Sequence, residues 1–303
     1  MSKEILHIES VSKLHELLGY EKPKHPLISI IDVSRMSIPK EWVGLKLRAD
    51  FYVVALKNSE CGMQYGRHYY DFQEGVLVFT APGQVVSATE ETTHGENAGW
   101  MMFFHPDLIR KFPLGEAIEN YTFFSYEAHE ALHLSDAEED ILNDCVNKIN
   151  LEIQERIDQH SQKVIVAGLD LLLSYCSRFY DRQFITRAAQ NSDVLSAFEK
   201  QLRGYFKSDL PSKDGLPSIQ YFADKANLSP NYFSDLLKKE TGKSAKDHIN
   251  EYLVEQAKNM LISSNQSVSE IAYSLGFNYP HYFSRVFKSK TGMAPNAFRE
   301  TLN

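Results

Sequence analysis

The residues best suited to chemistry lie in two short polar runs that share one pattern. In Tyr279 to Arg299, the groups His281, Ser284, Arg285 and Lys288 fall where a helix would show them to solvent. Phe283, Val286 and Phe287 alternate with them at helical spacing and would face a core. An imidazole, a hydroxyl and a guanidinium on one face can hydrogen-bond base edges, and an ammonium beside them can pair with phosphate. The run Ser229 to Ile249 repeats the pattern. Tyr232/Tyr282, Phe233/Phe283, Ser234/Ser284, Lys238/Lys288, Thr241/Thr291 and Gly242/Gly292 match at a constant offset.

Each polar run needs an element in front of it to fix its direction. Ser267 and Glu270 form a capping box that starts a short helix with Ile271, Ala272 and Leu275 on its buried face. Gly276 stops that helix where a positive φ is cheap, and Pro280 suits the first turn of the next. The result is a helix-turn-helix whose second helix is polar and basic. Upstream, Phe222 and Ala223 answer Ile271 and Ala272, so the chain carries two copies. Between them, Ala245 to Ile262 places Ile249, Leu253, Ala257 and Leu261 on one helical face. Such a helix would be about 27 Å long. Successive major-groove faces lie about 34 Å apart, so a strut of that order lets both second helices enter one groove.

Residues 206–298 resemble the C-terminal DNA-binding domain of AraC/XylS-type transcription regulators. The likeness rests on the run Ala223 to Phe233, on Lys238 to Ser244, on Ile271 to Phe277, and on Phe283 to Lys288. It continues through Thr291-Gly-Met-Ala-Pro295 to Phe298-Arg299. It implies base contacts from Asn231, Ser234 and Asp235 in the first reader, and from Pro280, His281, Ser284 and Arg285 in the second. It implies phosphate contacts from Lys238, Lys239, Lys243, Lys288 and Lys290, with double-stranded DNA as partner. Two positions depart from the pattern. Asp235 stands where many relatives carry a long basic or polar residue, and Leu253 where relatives often have arginine.

A chain of 303 residues with 43% apolar and 24% charged residues is long enough for two cored domains. Its net charge of −8 is unevenly spread: residues 209–303 hold 11 Lys/Arg against 10 Asp/Glu, and the other 208 hold 21 against 30. The acid therefore belongs to the N-terminal part, and DNA affinity must come from where cations lie rather than from their number. No apolar run is long enough for a bilayer, and the opening residues have no signal core, so a cytoplasmic protein is expected. Cys61, Cys145 and Cys176 form no CxxC pair and read as reduced thiols in a core.

Before the readers, apolar runs, β-branched or aromatic, at 27–33, 51–56, 63–72, 75–80 and 99–104 are separated by turn residues and read as a small barrel or sandwich. The run Gly75 to Gln84 resembles the cupin-like sensing domain that often precedes this DNA-binding domain. Barrel mouths are common ligand sites, and Tyr52, Tyr65, Tyr69, Phe79, Trp100 and Phe103 supply aromatic surface for a small-molecule effector, although aromatics at alternate strand positions more often fill a core. His68, His94 and His105 lie singly, with no HxH, and no nucleophile or phosphate-loop motif is present. The expectation is no metal, no cofactor and no enzyme activity; a metal- or ligand-binding cupin enzyme with an accessory helical domain is the alternative. Two helices follow, one from Ser135 and one over Val164 to Tyr180. The first spaces Leu142, Val146, Ile149, Ile153 and Ile157 by three and four, either to pack on the barrel or, as in relatives, to pair with a second copy in a homodimer.

The expected fold is α+β. A cupin-like regulatory and dimerisation domain spans 1–184, with its barrel at about 26–105 and helices at about 106–183. A polar linker covers 185–193. An all-α DNA-binding domain of two helix-turn-helix subdomains on a long helix covers 194–303. RNA polymerase is a further candidate partner, and a membrane is not.

Overall fold

The computed structural model describes residues 5–35, 39, 42, 44–58, 75–87 and 99–301, and the chain divides at Thr186/Arg187 into two units. In unit 1, β1 (Ile5–Ile8), α1 (Val11–Leu17), β2 (Ile28–Asp32), β3 (Lys46–Ala49), β4 (Tyr52–Asn58), β5 (Gly75–Thr80), β6 (Val85–Ser87) and β7 (Trp100–Phe104) come first. Then follow α2 (Pro106–Ile109), α3 (Pro113–Ala117), β8 (Leu132–Leu134), α4 (Asp136–Gln154) and α5 (Ser161–Thr186).

The strands make two open sheets among the described residues, ordered β1-β3-β6 and β2-β7-β4-β5-β8, and not the closed barrel expected from sequence. The larger sheet is antiparallel, with Val54 opposite both Phe79 and Met102. Alternation along its strands gives it two apolar faces. One meets α1 and the small sheet through Ile31, Phe51, Phe103, Val11 and Leu14. The other is capped by Phe123, Phe124 and Tyr180. A sheet buried on both sides needs no closure to protect its faces. The expected strand at 63–72, with Tyr65, Tyr69 and His68, lies outside the described residues, as do Cys61 and His94.

Helix α4 begins at the capping box of Ser135 and Glu138, which Arg182 of α5 clamps with its guanidinium, 2.6 Å and 3.1 Å from the two carboxylate oxygens. Leu142, Val146, Ile149 and Ile153 are buried. Gly168 lets α4 and α5 close, because a Cβ there would stand 2.7 Å from Ile149 Cγ1. The four residues expected on a dimer seam are thus core of one subunit. Ile157, the fifth, lies past the end of α4 and is exposed. The expected linker at 185–193 is helical except for Arg187. It has no glycine or proline and carries two alanines, which suit a helix, and Asn191 within it is buried and donates to Glu240 at 3.0 Å.

Unit 2 is all helix: α6 (Ala188–Lys207), α7 (Leu210–Asp214), α8 (Ile219–Ala226), α9 (Pro230–Thr241), α10 (Ala245–Ser263), α11 (Val268–Ser274), α12 (Pro280–Thr291) and α13 (Pro295–Glu300). Helix α6 packs on α8 and α9 as α10 packs on α11 and α12. Phe198 of α6 stands edge-on to Phe222 and Phe233, at 5.1 and 5.4 Å between centroids. In the second half, Phe283 meets Phe277 and Phe287, and Phe287 meets Phe298.

Candidate nucleic-acid interface

Both readers are built by the same local rules. Ser229 caps α9 by accepting from the Tyr232 amide at 3.3 Å, and Pro230 occupies the first turn. Helix α12 starts with Pro280 behind Tyr279, whose side chain makes no cap bond. Each reader ends in the same Thr-Gly pair. Thr241 and Thr291 donate to the carbonyls of Leu237 and Phe287, and Gly242 and Gly292 take φ of 75° and 82°. Gly276, in the turn before α12, has φ +92°, and a Cβ there would lie 2.7 Å from the Gly215 carbonyl carbon. Only glycine meets both demands.

The strut α10 starts on Ser244, which accepts from the Asp247 amide at 3.2 Å. Its 19 residues span about 28 Å. Ile249, Leu253, Ala257 and Leu261 are buried along it, so Leu253 serves packing. Arg299 closes the far end, donating to the carbonyls of Leu261 at 3.1 Å and Gln266 at 2.6 Å. That accounts for the Phe298-Arg299 pair of the repeat as structural.

The outward faces are polar. Asn231, His281 and Arg285 are exposed, and Ser234, Asp235, Pro280 and Ser284 are half-buried. Ser284 donates back to the Pro280 carbonyl at 3.1 Å, and Ser234 accepts from the Ala245 amide at 3.4 Å. Lys238, Lys239 and Lys288 are exposed along the last turns of the two readers. Cations near a helix C-terminus also oppose its macrodipole. Lys243 and Lys290, though exposed, pair with Glu251 and Asp247 of the strut at 2.7 and 3.1 Å.

The sequence reading gave no functional role to Tyr282, named only as a match in the repeat, or to Glu251. The Arg285 guanidinium lies 4.9 Å from the Tyr282 ring centroid, and His281 is 4.3 Å from the same ring. The three-residue spacing of Tyr282 and Arg285 signals that pair; nothing local signals a carboxylate 39 residues before Lys290.

In unit 1 the effector candidates are dispersed. Phe103 packs in the core under α1, Phe79 against Phe123 and Phe124, and Tyr52 stacks on Phe104 at 4.9 Å. Strand register puts Phe103 on one face of the sheet and Tyr52, Phe79 and Trp100 on the other. Only Trp100 of the described four lines the cleft of about 1160 Å³ beside α4, where its indole donates to Asn143 at 2.8 Å. No group of three His, Cys, Asp or Glu among the described residues could hold a metal ion. Cys145 and Cys176 are buried free thiols, and burial pushes both pKa values up. No helix among the described residues is long and apolar enough to cross a membrane.

Residues 222–301 match a family described as a helix-turn-helix domain. The uncharacterized HTH-type transcriptional regulator YobQ of Bacillus subtilis is 36% identical over 85 residues, 28% of this chain and 35% of that protein. The regulatory protein PocR of Salmonella typhimurium is 28% identical over 149 residues, 46% of this chain and 49% of the relative. The chain thus spans a third to a half of the length of these relatives. Among solved structures, the C-terminal domain of AraT, a response regulator from Geobacillus stearothermophilus, is 31% identical. The match covers 34% of this chain and 84% of that one, with a TM-score of 0.30. The C-terminal part of this chain carries a helix-turn-helix domain of the AraC type.

Proposed function

We propose that the whole protein is a sequence-specific transcription regulator that reads two adjacent major-groove segments of double-stranded DNA with α9 and α12. The observation that carries this reading is the duplication. Two helices with the same buried phenylalanine, Phe233 in one and Phe283 in the other, and the same Thr-Gly stop each turn a polar face outward, joined by a strut of about one helical repeat. Base edges fall to Asn231, Ser234, Asp235, Pro280, His281, Ser284 and Arg285. Phosphates fall to Lys238, Lys239, Lys243, Lys288 and Lys290.

Unit 1 takes the regulatory role, as a sensing and dimerisation domain. The cleft beside α4 supports a small-molecule effector. A homodimer is supported by Leu151, Val164 and Leu171, which are apolar yet exposed on α4 and α5. RNA polymerase is the further partner that a regulator bound beside a promoter would meet.

Selection of duplexes from a random library by the full chain tests the reading. Enrichment of one site with two half-elements about a helical turn apart is expected. Recovery of no enriched sequence would sink it.

A further inference from the structure

Two of the lysines assigned to phosphates are engaged in the structure by acidic residues of the strut. Lys243 Nζ lies 2.7 Å from Glu251 Oε2. Lys290 Nζ lies 3.1 Å from Asp247 Oδ1 and 3.8 Å from Glu251 Oε1. Asp247 is also held by Ser244, whose hydroxyl donates to its other oxygen at 2.7 Å. The cluster draws on three elements: the turn after α9, the first turns of α10, and the last turn of α12. Glu251 is the one residue of the four within ion-pair distance of a lysine from each reader.

Two consequences follow from this placement. A carboxylate touching both ammonium groups ties the end of the second reader to the end of the first through the strut. It also cancels charge at the point where a phosphate would approach, and repels the polyanion. All four side chains are between 31% and 50% exposed, so the pairs are screened and can exchange partners. We propose that Glu251 is a positioning residue for DNA binding: it holds Lys243 and Lys290 in place between the two readers and suppresses their attraction to duplexes of the wrong sequence. The inference rests on the DNA-binding reading above. Asp247 shares the cluster but also builds the start of α10, so Glu251 is the cleaner site to probe.

The test is Glu251→Gln in the full chain, which keeps shape and removes charge. Binding is measured over a range of salt to a duplex selected from a random library and to its scrambled counterpart. The variant should bind the scrambled duplex several-fold tighter, with the slope of log affinity against log salt steeper by about one. The preference for the selected duplex should fall. Adding Lys243→Gln should return the slope to its original value. An unchanged slope with a lowered melting temperature would reduce Glu251 to a fold-stabilising residue and overturn the proposal, as would a double variant that keeps the steeper slope. A wild-type chain that retains no duplex would remove the DNA-binding reading and this one with it. Wild-type binding that Glu251→Gln leaves unaltered would sink only the role of Glu251.

Discussion

Arg285 projects from α12 with its guanidinium over the Tyr282 ring, a contact that favours one direction for a flexible cation. Arg285→Ala should cost about 1–3 kcal/mol on the selected duplex and relax choice at one base pair. Equal losses on selected and scrambled duplexes would show that it contacts backbone only. Lys288→Ala should weaken all duplexes alike and flatten the salt slope by about one; an unaltered slope would remove it from the phosphate set. His248 gives a test of stability. Burial pushes its imidazole below the ordinary value of 6.5, with a bond to Thr241 Oγ1 at 2.8 Å and the Phe198 ring edge-on. The fold therefore prefers the neutral ring. This contribution is complete above pH 6.5 and is lost as pH falls through the lower folded value. The melting temperature should drop on acidification from pH 7.5 to about 5.5, and His248→Gln should flatten part of that drop. Parallel curves for the two proteins would exclude His248 as a source. At this scale the sequence told which side chains face outward, because the aromatics between them had to face in. It did not tell which outward cations are paired, since Lys290 and Asp247 are 43 residues apart and meet only in the fold.

The elements of unit 2 were legible because their ends are written in local chemistry. Ser267 with Glu270 starts α11, Gly276 follows its end, and the Thr-Gly pairs close both readers. The glycines are not equivalent, and that difference is measurable. Gly276→Ala meets the Gly215 carbonyl carbon at 2.7 Å, whereas nothing lies within 4 Å of a Cβ at Gly242. Gly276→Ala should destabilise by about 1–3 kcal/mol in chemical denaturation, and more than Gly242→Ala, which bears backbone strain alone. Equal losses would contradict the close approach. The three-helix period, with α6 packed on α8 and α9 as α10 is on α11 and α12, was hidden because α6 and α10 bury residues of different type. In unit 1 the strands at 28–32, 52–58, 75–80 and 100–104 were readable from apolar runs rich in β-branched or aromatic residues. Their closure was not, because an apolar strand reads alike in a barrel and in a sheet covered on both faces. The seam of α4 was legible as apolar; its partner, α5 with Gly168 beneath Ile149, was not.

The whole molecule divides its charge along the same boundary as its fold. Residues 187–303 hold 15 Lys/Arg against 12 Asp/Glu, net +3, and residues 1–186 hold 17 against 28, net −11. A domain so weakly basic cannot depend on bulk attraction, which places the burden on the position of a few cations and on having two readers. The charge division was plain in the sequence; an effector site in unit 1 was not, since the candidate aromatics are mostly core. The central claim is that one chain sets α9 and α12 into consecutive turns of one groove. Hydroxyl-radical footprinting of the full chain on its selected duplex measures this directly. The account predicts, for each bound chain, two protected patches on one face of the duplex, centred about 10 base pairs apart, with the patch under α12 lost in Arg285→Ala combined with Lys288→Ala. A single patch, or two on opposite faces, would contradict it.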